Sequence, residues 1–263
     1  MIERILPSRV VVEEAFSDPP HATLFPAEEE LVRNSVEVRR REFTTVRHCA
    51  RRALGALGVA PAPILKGERG APVWPPATVG SMTHCAGYRA AAVARRADVR
   101  TIGIDAEPHA PLPDDVHDSV ALATEQRRER ELRERHPGIH WDRLLFSAKE
   151  SVYKTWFPLT HRWLGFEQAD IVLRPDGSFN VELLVSAEEL VARADVVPGS
   201  APGSAPGSAP GTAPQAARGA ACDTQARPSA TVPVVPRELR GRWLVADGLL
   251  ATAIVIENAP DTP

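Results

Sequence analysis

The sequence predicts an α+β fold built from a long helix followed by antiparallel strands, occurring twice along the chain. Three observations carry this. Phe43, Val46, Ala50, Ala53 and Leu57 follow a three-to-four spacing, which is the apolar stripe of an amphipathic helix. Glu150, Tyr153 and Lys154 share one face of a second helical stretch, with Val152 and Trp156 on another stripe free to pack on a sheet. After each helix come short apolar segments separated by Gly-containing turns, the pattern of hairpins.

The 263 residues suffice for one large domain or two small ones with proper cores. A net charge of −3 gives no whole-protein reason to expect nucleic acid. Met1-Ile2-Glu3-Arg4 begins with mixed character and no apolar run approaches the ~18 residues that span a bilayer, so no membrane association is expected and a cytoplasmic location is. Cys49, Cys85 and Cys222 are scattered without a CxxC pair, which points to neither a disulfide framework nor a zinc site. Lysine occurs only at 66, 149 and 154 in an Arg-rich chain.

In chain order, Ile5 to Val12 reads as a strand broken by Pro19-Pro20, and Ala27 to Leu57 as helical with Gly55 and Gly58 as stops. That helix carries Arg39, Arg40, Arg41, Arg47, Arg51 and Arg52, either a solvated face or an anion site. Arg40 and Arg47, seven apart, align better on a helix than Arg39 and Arg47. The loop Lys66-Gly67-Glu68-Arg69-Gly70 pairs flexible backbone with cations, which suits a polyphosphate cradle. Val79 to Met82, Tyr88 to Ala94 and Val99 to Glu107 read as a three-stranded meander, with Thr83 to Gly87 as a turn. Thr124 to Arg135 reads as an exposed, highly charged helix or mobile connection that a partner could land on. Ala169 to Val185 and Arg242 to Ile256 read as hairpins. Between them, a Pro-Gly-Ser-Ala tract at about 196–236 reads as a flexible insert.

The chemistry-bearing stretches are Gly103-Ile104-Asp105-Ala106-Glu107 and Phe146-Ser147-Ala148-Lys149-Glu150-Ser151-Val152-Tyr153-Lys154. In the first, Asp105 and Glu107 project from one side of a strand that Pro108, Pro111 and Pro113 stop, which places them at a rim. Two like charges so placed repel, and a divalent cation with hard oxygen ligands relieves them; two solvated acids at an exposed strand end fit the spacing as well. In the second, Ser147 to Glu150 matches a capping box, so Glu150 either caps its own helix and pairs with Lys154 or serves chemistry.

Together the two stretches match the G-I-D-x-E and (W/F)-x-x-K-E-(S/A)-x-x-K signature, and the chain resembles the 4′-phosphopantetheinyl transferases of the larger, surfactin-synthase-activating class. Similarity is closest to the actinobacterial and enterobactin-synthase-component-D-like branch, through the segments around TTVRHCAR, APILKG, THCAGY and WFPLTHRWLGFE. It covers most of residues 20 to 190 and the last twenty or so.

The resemblance implies a pseudo-twofold duplicated helix-plus-antiparallel-sheet fold. It divides the chain into an N-terminal half at 1–108 and a C-terminal half at 109–263, with the site between them. It implies transfer of 4′-phosphopantetheine from coenzyme A to a serine of an apo acyl or peptidyl carrier protein or carrier domain. Mg2+ is the implied metal, held by Asp105, Glu107, Glu150 and the Ala106 carbonyl. Glu150 would act as base, directly or through a water, and Lys154 on the leaving bisphosphate. Arg39, Arg47, Lys66, Gly67, Glu68, Arg69, Thr83 and His84, together with Asp105 and Glu150, would contact coenzyme A. The internal duplication makes a monomer the expectation. Three carboxylates and a lysine would also suit a metal-dependent phosphohydrolase, and the cationic loops alone a non-catalytic coenzyme A-binding module.

Overall fold

The computed structural model of the chain describes residues 1–191 and 234–258. The Pro-Gly-Ser-Ala tract predicted at about 196–236 falls almost wholly outside them, as does Cys222. A short 3-10 turn, Ile2–Ile5, precedes strand β1, Val11–Ala15. The strand predicted at Ile5 to Val12 is therefore shifted toward the C-terminus. Helix α1, Pro26–Glu29, runs into a 3-10 turn, and α2, Glu37–Ala56, follows after a break. Gly58 ends that region at a φ of +76°, a conformation that glycine adopts without strain.

Strands β2, Thr78–Cys85, and β3, Tyr88–Arg95, form a hairpin whose turn is Ala86-Gly87 alone. Thr83, His84 and Cys85 belong to the strand and not to the turn that the sequence predicted. With β1 they make a three-stranded sheet of order β1-β3-β2, on which α2 lays Cys49, Ala50, Ala53 and Leu54 against Ala91 and Val93.

Strand β4, Val99–Pro108, leaves that meander. After α3, Asp114–Val120, α4, Ala123–Arg135, and α5, Trp141–Thr160, the chain forms β5, Ala169–Leu173, and β6, Ser178–Leu183. Strands β7, Glu238–Ala246, and β8, Leu249–Glu257, complete an antiparallel sheet of order β4-β8-β7-β6-β5. Adjacency in sequence favours a β3–β4 hairpin, but β4 instead pairs with β8 from Pro108↔Leu249 to Val99↔Glu257.

Ile102, Ile104 and Ala106 pack toward β2 and β3, and Ser81 Oγ accepts the Ile104 amide at 3.1 Å. The opposite face of β4 carries α5, whose Leu145, Ala148, Val152 and Trp156 fill the second core. The two sheets thus meet at β4 with a helix outside each, the helix-plus-antiparallel-sheet duplication predicted from the sequence. Among the described residues no helix is long and apolar enough to cross a membrane.

Helix α5 begins at Trp141, so Ser147 is no cap. It is buried within the helix, where its hydroxyl lies 3.0 Å from that of Thr252 on β8. Helix α4 is docked and not the fully exposed helix that the sequence predicted, since Glu125 and Glu129 are buried.

Candidate active site

Gly103 sets the distance between β4 and α5. A Cβ at this position would run into the Ser151 carbonyl and the Thr155 hydroxyl, so only glycine lets the two elements approach so closely. Two residues on, Asp105 faces the same helix and is 4 % exposed, so it is buried within the sheet face and not at the predicted rim. Lys154 Nζ donates to Asp105 Oδ1 at 2.8 Å, and the Thr83 hydroxyl donates to the same oxygen at 3.2 Å. Thr83 Oγ1 in turn accepts the Ala106 amide at 3.0 Å, which fixes the β4 backbone beside the acid. Asp105 Oδ2 is buried with no hydrogen-bond partner.

Glu107 lies on the same side of β4, where Arg143 Nη1 donates to its Oε2 at 3.2 Å. Burial, and then the Asp105 charge, push its carboxyl up to about 7, against the pull of Arg143 and Lys154. Glu150 stands one turn before Lys154. Burial raises its pKa, Asp105 adds to the rise, and Lys154 opposes it. The Glu150–Lys154 pair, one of the two readings the sequence left open, is not made; the Lys154 ammonium instead reaches across to Asp105. Nor does Glu150 cap a helix end. Among the described residues no three His, Cys, Asp or Glu side chains converge as a ready metal site.

A cationic surface adjoins these acids. Arg39 Nη1 meets His84 Nε2, and His84 Nδ1 lies 3.3 Å from Glu42 Oε2. A neutral imidazole with its proton on Nδ1 satisfies both contacts. Burial, then the Arg39 charge, push His84 down to about 4. Arg39, half-buried, is thus the arginine turned to the site, while Arg40 is exposed.

Arg47 is buried with its guanidinium carbon 3.2 Å from the Phe43 ring centroid, and its Nε donates to the Ile64 carbonyl at 3.0 Å. Burial lowers it to about 10. The Lys66 ammonium lies 5.2 Å from the same ring, lowered by burial and then by Arg39 and Arg47. Arg47 and Lys66 thus share one aromatic ring, and the Arg39 charge helps to lower both, a condition that an anion between them relieves.

The loop beyond Lys66 reaches the other helix. Glu68 lies 3.6 Å from His161 Nδ1, and the Arg69 guanidinium 5.5 Å from the Trp163 ring. The Gly67 amide does not point outward as a cradle would need, since it donates to the Ala71 carbonyl at 2.7 Å.

Sequence reasoning missed the carboxylates beneath these cations. Glu28 is fully buried, accepting from Arg51 Nη1 and from the Ile64 amide. Glu42 and Arg143 were likewise unmarked, although Glu42 at i+3 from Arg39 was a visible pairing signal.

Between α5 and the segment that follows it lies a cavity of about 220 Å³, walled by Glu150, Tyr153, Trp163, Leu164 and Phe166 among others. It is largely apolar, with Glu150 among its lining residues. A second hollow of about 350 Å³ between the Pro111–Asp118 stretch and α4 shares none of these residues.

The family described as 4′-phosphopantetheinyl transferase N-terminal domain matches residues 27–94, and that described as 4′-phosphopantetheinyl transferase superfamily matches residues 101–203. The chain is 45% identical over 260 residues to the 4′-phosphopantetheinyl transferase PptT of Mycobacterium tuberculosis, covering 97% of this chain and 98% of that protein. It is 45% identical over 262 residues to the 4′-phosphopantetheinyl transferase Npt of Nocardia iowensis, covering 97% and 99%. To the 4′-phosphopantetheinyl transferase Svp of Streptomyces mobaraensis it is 54% identical over 189 residues, covering 70% and 77%.

Proposed function

The chain belongs to the 4′-phosphopantetheinyl transferase superfamily, and from that premise we propose the roles of its residues in the reaction. The enzyme transfers 4′-phosphopantetheine from coenzyme A to carrier proteins. The acceptor is a serine hydroxyl of an apo acyl or peptidyl carrier protein. Its oxygen forms a bond to the phosphorus that bears the pantetheine arm, the bond from that phosphorus to the bridging oxygen breaks, and adenosine 3′,5′-bisphosphate leaves.

The observation that carries the residue roles is the Lys154–Asp105 contact, 2.8 Å across β4 and α5, with Glu150 one helical turn away. Such a centre works by positioning and charge stabilisation. Arg39, Arg47, Lys66 and His84 receive the phosphates of the nucleotide end, and Arg69 reaches toward the other side of the same cleft. Thr83 orients Asp105 through its hydroxyl. Glu150, whose burial raises its affinity for a proton, accepts the serine proton directly or through a water. The Lys154 ammonium then meets the negative charge of the leaving bisphosphate. The apolar cavity beside Glu150 seats the pantetheine arm.

The unpartnered, buried Asp105 Oδ2 and the raised Glu107 carboxyl fit a divalent cation, with the Ala106 carbonyl and Glu150 as further oxygen donors. Mg2+ held there would neutralise charge on the pyrophosphate. The duplicated helix-and-sheet halves within one chain support reading the enzyme as a monomer, and we place it in the cytoplasm.

The experiment is intact-mass spectrometry of an apo carrier protein incubated with the enzyme, coenzyme A and Mg2+. The expected result is a gain of one phosphopantetheine, lost without Mg2+ and in Asp105→Ala. No gain across several carriers would overturn the reading.

A further inference from the structure

A buried ion pair beside the site is not used by the chemistry above. Lys149 and Glu125 lie 2.8 Å apart with side chains 1% exposed each. The three protons of the Lys149 ammonium meet three acceptors, namely the Phe166 and Ala169 carbonyls, each at 2.7 Å, and Glu125 Oε2. Glu125 also accepts the Leu122 amide at 2.8 Å and the Ile171 amide at 2.7 Å. The network is therefore closed, and Lys149 has no proton left for a ligand. Successive residues on a helix point about 100° apart, so Lys149 can face inward while Glu150 faces the reaction centre.

The network joins α4, α5 and the segment that walls the cavity beside Glu150. Between Trp163 and Gln168 the backbone belongs to no strand, and the two carbonyls held by Lys149 bracket the end of that segment. Trp163, Leu164, Gly165, Phe166 and Ala169 line the cavity, and Lys149 is among its other lining residues.

We infer that Glu125 is a positioning residue for the pantetheine end of the site: through Lys149 it fixes the spacing between α5 and residues 163–171. This rests on reading the cavity as the seat of the pantetheine arm. Removing the Glu125 charge leaves a buried ammonium without its counter-ion, and the wall tethered to it loses its fixed place.

The test is calorimetric titration of the full chain, with Mg2+, by coenzyme A and separately by adenosine 3′,5′-bisphosphate, which lacks the arm. In Glu125→Gln the Kd for coenzyme A is expected to rise about tenfold, with that for the bisphosphate unchanged. In turnover, KM for coenzyme A rises more than kcat falls. Glu125→Asp keeps the charge and shortens the reach, so it gives the same split at smaller size and serves if Glu125→Gln does not fold. Equal losses for both ligands, or no loss for either, would overturn the inference and reduce the pair to general stability. Wild-type protein that binds coenzyme A no more tightly than the bisphosphate would overturn the cavity reading and this inference with it.

Discussion

Lys154 Nζ lies 2.8 Å from Asp105 Oδ1, and this bond ties the helix that carries Glu150 to the strand that carries the acidic pair. Without it, Asp105 would be a buried carboxylate with Thr83 as its remaining side-chain partner. Lys154→Ala is therefore expected to lower the rate of carrier modification by roughly 10²–10³-fold, the size of a lost charge-stabilising donor. Single-turnover mass spectrometry at saturating coenzyme A measures it, and a loss below tenfold would remove Lys154 from the chemistry.

Glu150→Gln separates proton transfer from binding. The side chain keeps its size and loses its basicity, so transfer should fall by about 10²–10⁴-fold. Coenzyme A affinity, read by calorimetry, should fall far less than the rate. An unchanged rate would assign the proton to another group.

Gly103→Ala tests the close approach of β4 and α5. The added methyl meets the Ser151 carbonyl, which belongs to the helix backbone and cannot rotate away. Overpacking of this kind costs about 1–3 kcal/mol. Denaturant unfolding reads the stability, and activity should fall with it because Asp105 and Lys154 are pushed apart.

Glu28 was silent in the sequence, and its variant should be among the least stable. Arg47 lies 3.7 Å and Arg51 2.8 Å from its carboxylate, and all three are buried or nearly so. Glu28→Gln leaves two guanidiniums short of a counter-charge, a loss of about 3–5 kcal/mol for a broken buried pair. Urea midpoints measure it; a loss under 1 kcal/mol would mean that water reaches Arg47.

Legibility from sequence followed the range of the interactions involved. The face of Gly103, Asp105 and Glu107, and that of Glu150, Tyr153 and Lys154, follow from strand and helix periods, which are local. Thr83 to Cys85 looked like a turn because polar residues favour turns, yet Thr83 is on a strand where β4 satisfies its hydroxyl. Ser147 looked like a cap for the same reason, until Thr252 from the other end of the chain gave it a buried partner. Glu28 carried no signal and Glu125 fell in a helix read as exposed, because partners distant in sequence, Ile64 and Arg51 for the one and Lys149 and Ile171 for the other, bury them. The pairing of β4 with β8 was hidden likewise, since nothing local in either strand names its neighbour.

His84 should make both stability and coenzyme A affinity depend on pH. Its folded pKa is depressed to about 4 by burial and Arg39, from an ordinary value of 6.5. Between those values the unfolded chain holds a proton on this ring that the folded one does not, so its contribution to stability is present above pH 6.5 and is lost as pH falls toward 4. Glu107, raised to about 7, runs the opposite way over part of the same window. The useful quantity is therefore the difference between wild type and His84→Gln, in which Glu107 cancels. That difference in unfolding free energy should shrink as pH falls from 6.5 to 4. A phosphate placed between His84 and Arg39 reverses the local field and raises the ring's pKa, so coenzyme A should bind with proton uptake near pH 5.5. Calorimetry in two buffers of different ionisation enthalpy counts that proton. Uptake equal in wild type and His84→Gln would show that no phosphate group settles against this ring.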